Sequence, residues 1–190
     1  PGAYPAGAGP TPAATFRSDP MAGDTAVVGP LAATLFAAAS APDTSFFVQV
    51  LDEAPDGSRS YLQRGLLKAS HRSLAPSRGD RTPDGRVYRP HHPHTDPTPV
   101  TPGRVEEYLV EVFPVGHVFR AGHRMVVTVS SPPAVDGVWA YEPTPPGVVT
   151  IHADAARPSR LLVPEVPLAR VALGPAPPCG AQDGVRCAAQ

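Results

Sequence analysis

The sequence has 190 residues, 42% of them hydrophobic and 17% charged, with 27 Pro and 17 Gly. That length suits one domain with short tails, and clean apolar runs between the prolines exclude a charge-driven disordered chain. Net charge is −1, so no basic face is offered to nucleic acid, and the longest mostly apolar run, Leu31 to Ala41, is about half a membrane span.

The chain opens at Pro1 with no charged and apolar leader pattern, so no signal peptide is expected and the sequence reads as a segment of something longer. Residues 1–14 are Pro, Gly and Ala with one Tyr, the composition of a linker or extended arm. Strand signals begin at Thr15. Thr25–Val28 is a short run ended by Gly29-Pro30. Leu31–Ala39 is apolar on both faces, as in a strand buried between two layers. Ser45–Asp52 and Ser60–Ala69 flank Ala54-Pro55-Asp56-Gly57, a tight turn in which Pro fixes φ and Gly accepts positive φ; residues 45–69 are expected as a hairpin.

Residues 74–103 carry seven prolines among Arg, Asp and His. Proline cannot donate to a ladder, so a loop of about 30 residues is expected, long enough to need something to rest on. Val105–Val112 alternates as a strand, His117–Phe119 is a short extended piece, and His123–Ser131 places Met125, Val127 and Val129 on one face. Val148–His152 and Arg160–Val163 close the series. No amphipathic helix longer than about two turns is found. Short strands with long crossing loops predict an all-β, jelly-roll β-sandwich over residues 15–170, with a barrel as the alternative. Residues 171–190 read as a tail. In it Cys179 and Cys187 allow either two free thiols or a small disulfide loop; the disulfide is the favoured expectation, and it points to an extracellular or secreted protein.

Chemistry is sparse. No Gly-x-Ser-x-Gly elbow holds a serine nucleophile, and no glycine-rich phosphate loop is present. His91-His92-Pro93-His94-Thr95-Asp96 has metal-ligating groups, but the spacing is compressed and Pro93 restricts convergence. A polar, solvated loop is the preferred reading of His91, His92, His94 and Asp96. His71, His123 and His152 are expected to hydrogen-bond within the fold. Trp139 and Tyr141, in the lightly charged stretch Pro132–Pro146, are expected at an interdomain contact.

The run Gly29-Pro30-Leu31 through Asp43-Thr44-Ser45-Phe46, then Leu51-Asp52, Pro55-Asp56-Gly57, Gly65-Leu66-Leu67 and His71-Arg72, resembles the C-terminal domain of X-Pro dipeptidyl-peptidases. That domain also occurs in the cocaine esterase and α-amino acid ester hydrolase group. In the second half, Pro102-Gly103, Phe119-Arg120-Ala121-Gly122-His123-Arg124, Ser130-Ser131, His152-Ala153-Asp154 and Pro158-Ser159-Arg160-Leu161 agree in order and spacing. The likeness covers roughly residues 15–167. One departure is Ser45, where the family often carries an Asp.

The resemblance implies a galactose-binding-like jelly roll. It also implies that the catalytic residues lie in a preceding α/β-hydrolase domain, on which this domain packs and which it stabilises. No catalytic residue carries over, no cofactor is implied, and only structural roles come to Asp43, Gly122, His123, Arg124 and Ser159. The expected partner is that hydrolase domain; neither nucleic acid nor a membrane span is expected, and any homo-oligomer would form through the parent. A free-standing carbohydrate or small-ligand binding module is the alternative, and an autonomous enzyme using the His91–Asp96 loop is the remaining one.

Overall fold

A computed structural model describes residues 12–75, 77–132, 135–136 and 139–171, the side chains of Val135, Asp136 and Trp139 excepted. Cys179 and Cys187 lie outside the described residues. Within them the strands are β1 (Ala14–Arg17), β2 (Thr25–Ala39), β3 (Ser45–Glu53), β4 (Arg59–Lys68), β5 (Asp80–Arg81), β6 (Val87–Arg89), β7 (Glu106–Phe119), β8 (Arg124–Ser130), β9 (Val135–Asp136), β10 (Trp139–Ala140), β11 (Val149–His152), β12 (Arg160–Leu162) and β13 (Glu165–Val166). Two three-residue 3-10 turns, Ala69–His71 and Leu168–Arg170, accompany them. No helix among the described residues is long and apolar enough to cross a membrane.

Nine strands form one antiparallel sheet in the order β1-β8-β3-β4-β7-β2-β11, with β12 and β13 also paired to β2. The sheet doubles over between β4 and β7, where the pairing is Gly65 with Val112. One layer, β1-β8-β3-β4, thereby faces another built on β7 and β2. Between them lie Leu31, Leu35, Phe46, Val48, Val50, Tyr108, Val110, Val112 and Phe119. The rings of Phe46 on β3 and Tyr108 on β7 meet across this interior at 4.7 Å. The all-β, jelly-roll-like expectation holds, in a form whose two layers nearly close into a barrel.

The sequence reading is corrected at two places for one reason. Thr25–Val28 and Leu31–Ala39 are a single strand, and so are Val105–Val112 and His117–Phe119. The register of β2 on β7 runs to Gly29 opposite Val115 and resumes at Leu31 opposite Val112. Pro30 thus stands against both Phe113 and Pro114 in a β-bulge. Neither proline has an amide to give to a ladder, and both fall where the ladder is already broken. The extra residue also inverts the phase of β7: Tyr108, Val110 and Val112 face the core before it, Val115 and Phe119 after it.

The hairpin over 45–69 is present as β3 and β4, with Gly57 at φ 84° in its turn. Ala14, expected in the arm, pairs with Val129 in the sheet. The 74–103 stretch contains a small hairpin, β5–β6, closed by Thr82 and Arg86 with Gly85 at φ 85°. It rests on its own domain: the amide of Thr98 donates to the Ser70 carbonyl at 2.8 Å, that of Val100 to the Pro42 carbonyl at 2.9 Å, and Val100 is buried in the core.

Candidate functional site

Three places gather polar or uncovered groups. The first is a knot at one end of the interior. Alternation along β3 puts Phe46, Val48 and Val50 inward, and Asp52 continues that row. The phase change in β7 turns His117 inward, and Gly122, at φ 81°, makes the turn that delivers His123 to the start of β8. The ring of His117 approaches one Asp52 oxygen through Nε2 at 2.8 Å; that of His123 approaches the other through Nδ1 at 2.8 Å. An ionised carboxylate only accepts, so each imidazole supplies an N–H. Phe119 packs edge-on against His117 at 4.9 Å. Asp52 is 7% exposed, and this arrangement satisfies its charge by joining β3, β7 and the turn into β8, drawn from both layers. The alternation of β3 signalled that Asp52 points inward; the partner His117 was not legible without the bulge.

The second place is the opposite end. Asp43 accepts from the amides of Thr44 and Ser70, both at 2.9 Å, and from the Ser70 hydroxyl at 2.8 Å. It pins the β2–β3 connection to the turn after β4. Arg72 forms an ion pair with Glu106 and donates to the carbonyls of Ala69 and Thr98. Nearby, His94 lies 5.3 Å from His71 and 5.9 Å from His92, ring centre to ring centre. Burial, and then the neighbouring His71, His92 and His91, hold His94 below the usual histidine range. Both ring nitrogens of His92 face main-chain carbonyls, Ser73 at 3.1 Å and Leu109 at 2.8 Å. His91, His92, His94 and Asp96 do not converge as ligands: among the described residues no three His, Cys, Asp or Glu side chains group to hold a metal ion.

The remaining motif residues are fastenings. The Arg124 guanidinium donates to the Ser18 carbonyl at 2.7 Å. Ser159 accepts from the Phe36 amide at 2.9 Å and donates to the His152 carbonyl, hooking the β11–β12 connection onto β2.

The third place is a pocket of about 420 Å³ between β1 and β11, the two ends of the sheet order. Ala14 of β1, Phe46, Val129 and Ile151 of β11 line it, and Ser45, Ser130 and Ser131 add hydroxyls. None of its described lining residues is charged. Val148 at its rim is 71% exposed, while its main chain is tied to Ser40 in both directions, at 2.8 and 2.9 Å. Neither interface candidate is in the described lining. Tyr141 is half-buried with its ring 6.3 Å from that of Phe47, and Glu142 pairs with Lys68. This segment therefore lies over the β3–β4 hairpin. The side chain of Trp139 lies outside the described residues.

A family model for the X-Pro dipeptidyl-peptidase C-terminal non-catalytic domain matches residues 8–162. A protein of Mycobacterium bovis that carries the name of a serine esterase is 30% identical over 118 residues, 61% of this chain and 18% of its own. The cocaine esterase of a Rhodococcus species is 29% identical over 105 residues, 55% of this chain and 15% of its own. A crystal structure of a CocE/NonD family hydrolase from Staphylococcus aureus superposes with a TM-score of 0.72 at 20% identity, over 82% of this chain and 30% of that one. The chain thus spans less than a fifth of the curated relatives it matches, and it belongs to the family of X-Pro dipeptidyl-peptidase C-terminal non-catalytic domains.

Proposed function

We propose that this chain is the accessory module of a serine hydrolase that cleaves ester or X-Pro peptide bonds, and that it packs on and stabilises an α/β-hydrolase catalytic domain preceding it in the parent polypeptide. The observation that carries the reading is the family match over residues 8–162. Two features of the site support it. The buried Asp52–His117–His123 knot is consumed in joining strands. The described lining of the β1–β11 pocket is uncharged and mixes apolar side chains with serine hydroxyls, the character of a surface made to be covered by protein.

The test joins the chain to its hydrolase domain and removes it again. Removal is expected to lower the melting temperature and shorten the activity half-life of the hydrolase domain. The isolated chain should not turn over a p-nitrophenyl ester or an X-Pro anilide. A hydrolase domain equally stable and active without this chain would refute the stabilising role. Saturable heat on titrating sugars into the chain would favour a binding module instead. The proposed extracellular setting rests on a Cys179–Cys187 disulfide; non-reducing mass spectrometry of freshly isolated protein should find the chain two hydrogens lighter than its reduced form, and two alkylatable thiols would sink it.

A further inference from the structure

We infer that the pocket between β1 and β11 receives an extended, apolar segment of the preceding hydrolase domain, which pairs with the free strand edges and closes the sandwich. This rests on the accessory-module reading above and gives it a place.

Four observations converge. First, β1 and β11 end the sheet order, so among the described residues each has a neighbour on one side, β8 or β2. Their other edges present main-chain donors and acceptors, the usual template for an added strand. Second, the space between them is bounded by apolar side chains and by the hydroxyls of Ser45, Ser130 and Ser131, with no charge among the described residues. An extended segment placing alternate apolar side chains inward meets those demands; an acidic or basic ligand finds no counter-charge. Third, Val148 is the most exposed of the large hydrophobics among the described residues, at 71%. Fourth, Pro12 and Ala13 themselves line the pocket. In a C-terminal domain the polypeptide arrives from the preceding domain along this strand, so that domain is tethered to the pocket's wall. On the paired side of β1 the Arg17 guanidinium reaches across β8 to Glu53 of β3 at 3.1 Å, and Glu53 also takes Arg59 at 2.6 Å. This keeps β1 on the sheet as a ready edge.

The test compares this chain alone with the polypeptide in which it follows its hydrolase domain. Amide exchange along β1 and β11 should slow at least tenfold in the longer polypeptide, and calorimetry should show one joint transition. Val148→Glu, whose main-chain bonds to Ser40 survive the change, should abolish the protection and split the transition, while leaving the melting temperature of the isolated chain unchanged. Val28→Glu, at an exposed site on the far side of β2, should do neither. A joint transition with unprotected β1 and β11, insensitive to Val148→Glu, would mean docking by another face and overturn this inference while sparing the accessory reading. Edges already protected in the isolated chain would also overturn it, since the chain would then close its own seam. Two independent transitions with no added protection would defeat both.

Discussion

The sandwich has two long seams, and they are made differently. Along β4–β7 the layers pass into one another through a main-chain pairing at Gly65 and Val112, so tight that a Cβ on Gly65 would strike the Glu111 carbonyl. Along β1–β11 there is no pairing among the described residues but a pocket of about 420 Å³ lined by uncharged side chains among the described residues. The closed seam is backed by the Asp52 knot, which ties His117 of one layer to Asp52 and His123 of the other. The contrast teaches where to look for function in a domain without catalytic groups. Where a buried polar group is answered internally, as Asp52 is, the fold is holding itself together. Where apolar surface is left beside unpaired strand edges, something else is expected.

That contrast can be broken most severely at Gly65. Gly65→Ala forces main chain apart, since its nearest obstacles are backbone atoms, and should cost about 3 kcal/mol in urea unfolding. A change below 0.5 kcal/mol would show that the closed seam is loose. Next, Asp52→Ala leaves two imidazole N–H groups without their acceptor and should cost about 2 kcal/mol; Asp52→Asn, which keeps an acceptor oxygen, should recover part of it. Equal losses for both would mean that charge, and not geometry, holds the knot. Ser159→Ala removes the hook between Phe36 and His152 and should cost about 1 kcal/mol, with faster amide exchange confined to β11 and β12.

The smallest effect is with pH. His94 sits below the ordinary histidine pKa of 6.5 because of burial and its histidine neighbours. The unfolded chain therefore binds this proton more readily than the folded one, so the contribution is present above pH 6.5 and is lost as pH falls through 6.5 toward the depressed value. The urea midpoint should drop between pH 7.5 and 5.5, and His94→Gln should flatten that drop. An unchanged profile in the variant would remove His94 from the account.

Local signals carried much of this fold. The hairpin over 45–69 was legible because Pro55-Asp56-Gly57 is a turn with a mechanism, and β8 because Met125, Val127 and Val129 alternate. The same turn signature, Pro83-Asp84-Gly85, marks the β5–β6 hairpin, where the surrounding prolines argue instead for loop. Gly29-Pro30 reads as the end of a strand, and Pro114 follows a run that stops at Val112. That they meet at one bulge is a fact about two segments more than 80 residues apart in sequence, which no local pattern states. The knot was half legible for the same reason: Asp52 follows from alternation, His117 from a bulge elsewhere. The pocket was not legible, since it is made where the first and last strands of the sheet approach.

The register of β2 has a consequence for biosynthesis. Thr25 pairs with Phe119, and Leu161 of β12 lies opposite Ala33. At roughly 5–20 residues per second, β2 leaves the ribosome several seconds before any of these partners. Through that interval a fifteen-residue stretch, apolar on both faces, has an adjacent hairpin to lean on but nothing to pair with. Such high contact order predicts slow closure, and makes β2 the part of the nascent chain that a chaperone has most reason to hold.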